Sequence, residues 1–323
     1  MDHADEDFDG DIYIYRGGRA PQHITHARID KSINDIEDEA FLGCENLLQV
    51  DTHDGLRKVG KKAFSVCRCL RRINLKSVVE IDLMAFYRCT NLETVEFGDR
   101  LETIGKNAFT NCISLTHLKL PSITTIGASA FFDCKPLTDI VFPKQLEKVG
   151  TFAFQCCSRL RRITIPLKRC LFQFPSPFEQ FNQFNCCHEL LTVDLLGEIH
   201  KTVASFHMDC WRTEMTEEIN RINHVLPNTE ANEKSGVIYW WMDSLIDKMD
   251  HYKSEHCKHV REGITLLELA LWKAKLCEKE DICGEGRAKK VKIDEESARK
   301  ERRITCGADL VIKNVLPFLK LDE

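Results

Sequence analysis

Apolar residues recur along the first two thirds of the chain with a fixed beat. The dipeptide Ala-Phe stands at Ala40-Phe41, Ala63-Phe64, Ala85-Phe86, Ala108-Phe109, Ala130-Phe131 and Ala153-Phe154, so successive phenylalanines are 23, 22, 23, 22 and 23 residues apart. Three residues after each Phe comes a cysteine (Cys44, Cys67, Cys89, Cys112, Cys134, Cys157), and three later a leucine (Leu47, Leu70, Leu92, Leu115, Leu137, Leu160). An apolar, any, apolar triplet follows at Ile73-Asn74-Leu75, Val95-Glu96-Phe97, Leu118-Lys119-Leu120, Ile140-Val141-Phe142 and Ile163-Thr164-Ile165. Such alternation predicts a short strand with one buried face. Apolar pairs such as Leu101 with Ile104 precede Ala-Phe, often followed by Gly60, Gly105, Gly127 or Gly150, whose conformational freedom suits a corner. Pro121, Pro143 and Pro166 close three strands.

A unit of 22 or 23 residues buries its apolar side only by stacking on copies of itself, so the pattern predicts a solenoid. Leu/Ile, Ile-Gly, Ala-Phe, Cys and Leu before a strand resembles the surface-antigen (BspA-like) leucine-rich repeat over roughly residues 33–196. The segment Ile304 to Pro317 is also similar to leucine-rich-repeat proteins predicted from algal genomes, with a helical C-terminal region. The resemblance implies an α/β solenoid of short parallel strands and brings no settled biochemical role. In register, the cysteines suit packing inside a narrow coil better than redox work.

The flanks break the beat. Residues 1–10 read as an acidic tail. Asp11–Tyr15, a Gly17-Gly18 turn and His23–Ile29 predict a β-hairpin over 11–32 that caps the N-terminal edge. The solenoid is placed at 33–197, six regular repeats plus one stretched by an insertion near 168–185. That insertion carries Phe172, Phe174, Phe178, Phe181 and Phe184, which either pack on the next region, the favoured reading, or anchor a partner through Phe178. Beyond, 198–323 reads as all-α: Trp211, Met215, Ile219, Ile222 and Leu226 outline one helix, Val237 to Tyr252 a second, Ile264 to Ala274 a third, and 309–316 a short fourth.

Composition narrows function mainly by exclusion. A net charge of −5 gives no general attraction to nucleic acid or anionic membrane. The apolar run 264–272 is too short to span a bilayer. The acidic start lacks the pattern of a secretory signal, which makes the expected compartment cytoplasmic despite sixteen cysteines. Arg287, Lys289, Lys290 and Lys292, in a basic linker near 284–303, resemble a nuclear-import signal and add the nucleus as a second expectation. His251, His256, Cys257 and His259 are zinc-ligand types, but at 100° per helical residue they do not share a face, so no metal or other cofactor is expected. No phosphate-loop, dinucleotide, metalloprotease or serine-hydrolase motif occurs.

The strand face is the remaining candidate. Its outward positions, Arg72, Thr94, His117, Asp139 and Arg162, are chemically mixed, without the basic stripe and stacking aromatics of a nucleic-acid reader. The expectation is a non-catalytic scaffold binding a protein. The alternative puts catalysis or metal binding in the helical region.

Overall fold

The structure, a computed structural model, describes residues 8–9, 11–172, 182–196 and 208–282. The described residues divide into two compact units between Asp247 and Lys248.

The first unit is a stack of coils followed by helices. Its main strands are β1 (Phe8–Asp9), β2 (Ile12–Tyr15), β3 (His26–Ile29), β5 (Gln49–Asp51), β7 (Arg72–Leu75) and β9 (Thr94–Phe97), forming one six-stranded sheet in that order. The row is taken up again by β12 (Asp139–Val141), β14 (Arg162–Ile165) and β15 (Thr192–Leu195). A second six-stranded sheet consists of two-residue strands: β4 (Asp35–Ile36), β6 (Lys58–Val59), β8 (Glu80–Ile81), β10 (Thr103–Ile104), β11 (Thr125–Ile126) and β13 (Lys148–Val149). Apart from β1 with β2, every pairing of these strands is parallel. The triplet at 118–120 forms no strand, and only an isolated bridge from Thr94 to His117 marks that rung.

The recurrent residues are the core. Phe41, Phe64, Phe86, Phe109, Phe131 and Phe154 stack with centroids 4.9–5.3 Å apart and rings within 9° of parallel. Tyr15 begins the column and Phe184 ends it, 5.0 and 5.8 Å from their neighbours. Phe97, Phe142 and Phe172 meet the stack edge-on. Phe172 and Phe184 therefore belong to the coil interior rather than to an aromatic loop; Phe174, Phe178 and Phe181 lie outside the described residues.

Beside the rings runs a column of thiols. Each of Cys67, Cys89, Cys112, Cys134, Cys157 and Cys187 donates from Sγ to the Phe carbonyl of the preceding coil, at 3.0–3.3 Å. Serine would be small enough but would bring a stronger demand for hydrogen bonds; the thiol fills the space with a weak donor that one carbonyl satisfies.

Three expectations need correction. First, β2 and β3 pair in parallel, Ile12 with His26 and Tyr15 with Ile29, so they are successive rungs. Alternation alone does not encode strand direction, and the ten residues between them exceed a usual hairpin loop. The antiparallel pair that caps this edge is β1 with β2, one strand earlier.

Second, the corner glycines serve close approach. A Cβ on Gly60, Gly105, Gly127 or Gly150 would stand 2.4–2.7 Å from backbone atoms of the preceding coil. Left-handed backbone falls instead on ordinary residues, two in most coils, among them Lys62 and Val66, Met84 and Arg88, and Phe152 and Cys156, with φ of 54–64°. Such φ values cost energy. Lateral bonds hold them in place: Lys62 N–H to Leu83 O at 2.9 Å, and Val66 N–H to Tyr87 O at 2.8 Å.

Third, the predicted second and third helices are one. After α1 (Met208–Val225) and a 3₁₀ turn at Leu226–Asn228 containing Pro227, α2 runs unbroken over Lys234–Ile282. The 252–264 stretch is rich in helix formers and has no proline, and Gly263 alone costs only about 1 kcal/mol. In the second unit Leu267 and Leu271, two members of the stripe read as core, are 51% and 39% exposed, and Leu266, Leu269 and Trp272 beside them are exposed as well. Residues 309–316 lie outside the described residues.

Helices complete the last coil. Asn223 Oδ1 accepts from Val193 N–H at 2.8 Å, and Ser235 Oγ accepts from Phe184 N–H at 2.9 Å. The Lys234 ammonium donates to His188 O at 2.9 Å and Leu190 O at 2.6 Å. Arg169, in the loop after β14, bridges Asp243 and Asp247 of α2 at 3.1 and 2.9 Å. These groups stand where a further coil would have supplied backbone partners.

Candidate functional site

Alternation along each main strand turns one side chain inward and the next outward, and parallel register then aligns the outward ones into rows. One row runs Gln49, Arg72, Thr94, His117 on successive rungs; another runs Asp139, Arg162, Thr192. The structure thus brings Arg72, Thr94 and His117 together, and Asp139 with Arg162. No described pairing joins His117 to Asp139. Arg72, His117, Asp139 and Arg162 are exposed and Thr94 is half-buried.

Two residues further on, one parallel row holds Asn74 and Glu96 and another holds Val141, Thr164 and Asp194. Ion pairs cross between rungs: Lys76 to Glu96 at 2.7 Å and Arg162 to Asp194 at 3.6 Å. The hydrogen bond from Lys76 holds the Glu96 carboxyl below its ordinary range. Exposed pairs of this kind contribute little to stability. They fix where charge is presented.

Between the rungs of β5, β7 and β9 lies an open groove of about 520 Å³. Leu48, Gln49, Asp51, Arg72, Thr94 and Glu96 are on its walls, giving both signs of charge and one exposed apolar side chain. Sequence reasoning found Arg72 and Thr94 and missed Gln49 and Asp51. The signal was present, because Val50 follows Leu47 by three residues just as Ile73 follows Leu70.

Other candidates fall elsewhere. Phe178, Arg287, Lys289, Lys290 and Lys292 lie outside the described residues, as do the side chains of His256, Cys257 and His259. Among the described residues, no cluster of three or more His, Cys, Asp or Glu side chains could hold a metal ion. Among them too, no helix is long and apolar enough to cross a membrane.

Solved structures that match this chain in part include bacterial leucine-rich repeat proteins. A leucine-rich repeat protein from Bacteroides ovatus is 27% identical, with 54% of this chain aligned to 43% of that one and a TM-score of 0.45. The T. pallidum leucine-rich repeat protein is 26% identical over 57% of this chain and 83% of that one, with a TM-score of 0.40. A leucine-rich cell surface protein from Faecalibacterium prausnitzii is 20% identical over 55% and 65%, with a TM-score of 0.37. The chain thus spans less than half the length of the Bacteroides protein. No curated protein matches the sequence significantly. The likeness to algal proteins is not among these matches. The model of the BspA-type leucine-rich repeat region matches in six copies over residues 20–124 and 102–223, more than half of the chain, and the protein belongs to that family.

Proposed function

We propose that this protein is a binding scaffold that holds a protein or peptide segment on its main strand face, across the groove between β5, β7 and β9. The supporting observation is the aligned row Gln49, Arg72, Thr94, His117, whose members differ in chemistry while the residues beneath them repeat. Burial accounts for the repeated positions. The variable ones are free to specify a ligand, as on other solenoids. Mixed charge with little apolar surface suits a polar segment read by hydrogen bonds and ion pairs.

The alternative of catalysis or metal binding in the helical region has no supporting arrangement among the described residues. As to compartment, the buried thiols act as S–H donors, a role that requires them reduced and favours a cytoplasmic reading.

The test is affinity capture from native cells with the intact chain and with a variant carrying Arg72→Ala, His117→Ala and Arg162→Ala. These exposed side chains are expected to leave the melting temperature within about 2 °C of the parent. Partners held by the parent should be lost by the variant. Undiminished capture would place the site away from this face.

A further inference from the structure

Immediately before each register cysteine stands a residue in left-handed backbone: Gly43, Val66, Arg88, Asn111, Asp133, Cys156 and Cys186, with φ of 59–77°. Shared backbone geometry aligns their side chains in a column outside the buried thiols. The column changes identity from coil to coil until its last two members, which are both cysteine.

Cys156 and Cys186 are neighbours although 30 residues separate them. Cys156 N–H donates to Asn185 O at 2.8 Å, which puts the two corners on adjacent coils. Their side chains leave equivalent left-handed positions on these adjacent corners. Adjacent strands in such stacks are about 4.8 Å apart, inside the Cα separation of roughly 4.4–6.8 Å that a disulfide spans. Both side chains are only half-buried, whereas the seven register thiols are fully buried. Between Cys156 and Cys186 lies the insertion, so the last coil joins the body of the solenoid by its longest connection.

We propose that Cys156 and Cys186 are a thiol–disulfide exchange site for low-molecular-weight disulfides, whose product is an intramolecular bond stapling the last coil to the one before it. One thiolate attacks a sulfur of the small disulfide, breaking its S–S bond and releasing one small thiolate. The second protein thiolate attacks the resulting mixed disulfide at the protein sulfur and expels the other. The protein loses two electrons and two protons; the small disulfide gains both and leaves as two thiols. Burial, together with the neighbouring Cys186, pushes Cys156 up to about 11, so exchange speeds up as pH rises. The register thiols take no part: burial raises their pKa and their sulfurs face carbonyls of the preceding coil.

The intact chain, equilibrated in mixtures of oxidised and reduced glutathione, quenched with an alkylating reagent and digested without reduction, tests this by mass spectrometry. The expected result is one linked peptide pair, Cys156 to Cys186, growing with the oxidised fraction while Cys67, Cys89, Cys112 and Cys134 are recovered as thiols. In Cys156→Ser the partner thiol is gone, so Cys186 should accumulate a persistent glutathione adduct. Asn111 and Asp133 occupy the same column position, so a small polar residue fits there. Glutathione adducts persisting on both cysteines of the parent would overturn the proposal. So would two unmodified thiols at the highest oxidised fraction, or linkage of either to Cys69 or Cys170. The parent's result stands whether or not the variant folds.

Discussion

The coils and the helices that follow them end their hydrogen bonding in opposite ways. Inside the coil stack, lateral backbone hydrogen bonds run to the neighbouring copy, and the repeated buried side chains meet their own kind, Phe on Phe and Cys beside Cys. At the C-terminal edge no next copy exists, and unrepeated side chains finish the work, namely Asn223, Lys234 and Ser235. Repetition solves the interior and leaves the ends unsolved. Stability of the coils should therefore be collective, whereas that of the edge should depend on single residues.

Alkaline pH offers the harshest test of collectivity. Burial raises the pKa of all seven register thiols, with Cys44 pushed up to about 11 and Cys89 and Cys187 to about 12. Cys67, Cys112, Cys134 and Cys157 are raised in the same direction. A group whose folded pKa is raised gives stability that is complete below its unfolded pKa, near 9, and is lost as pH climbs toward the folded value. Each thiol loses up to about 1.4 kcal/mol per pH unit in that window. Seven together lose on the order of 7 kcal/mol between pH 9 and 10, comparable to the whole stability of a domain. Lys234 runs the other way, since burial pulls its pKa down, but one group does not offset seven. Cooperative loss of β-sheet circular dichroism is expected above pH 9, under reducing conditions. Replacing Cys89 and Cys112 with alanine should move the midpoint to higher pH; an unmoved midpoint would detach the transition from the thiols.

A mid-stack cavity comes next in size. Phe109 touches Phe86, Phe131 and, edge-on, Phe97, and is completely buried. Phe109→Ala should cost about 3–5 kcal/mol in denaturant unfolding. Because each coil contacts only its neighbours, amide exchange should rise most in β7 to β12 and least in β2 and β15. A uniform rise would mean that coupling extends beyond adjacent coils.

The sequence shows these two regions unequally. Every interior position of the regular coils was legible, because a period of 22 or 23 repeats the same burial six times and averages out local ambiguity. Strand direction at 12–29 was not, since alternation is identical in parallel and antiparallel pairs. Gly105 and Gly127 announced a backbone constraint but not its kind: positive φ and close approach both select glycine. The left-handed positions were invisible because Val66, Arg88 and Phe152 have no intrinsic preference for that backbone; lateral hydrogen bonds impose it. On the candidate face, Arg72 and Thr94 followed from register, while the groove needed Gln49 and Asp51 from one coil earlier. The capping trio left no signal at all, because helical periodicity marks apolar stripes, and Asn223, Lys234 and Ser235 are polar residues used once.

That trio yields the smallest and most local effect. Lys234→Met keeps the length and apolar stem of the side chain while removing the ammonium that reaches His188 O and Leu190 O. Two carbonyls lose a charge-assisted donor, which costs about 1–3 kcal/mol. The variant also no longer buries a charge, which offsets part of that loss. A net destabilisation of about 1–2 kcal/mol is expected, with faster amide exchange confined to β15 and the N-terminal turn of α2, and none in β7 or β9. Lys234→Arg should not restore protection, because a planar guanidinium does not fit a site shaped for a compact ammonium. Full protection of β15 in Lys234→Met would show that the last coil closes on apolar contact alone, and the contrast between a collective interior and an edge held by single residues would then rest on Asn223 and Ser235 only.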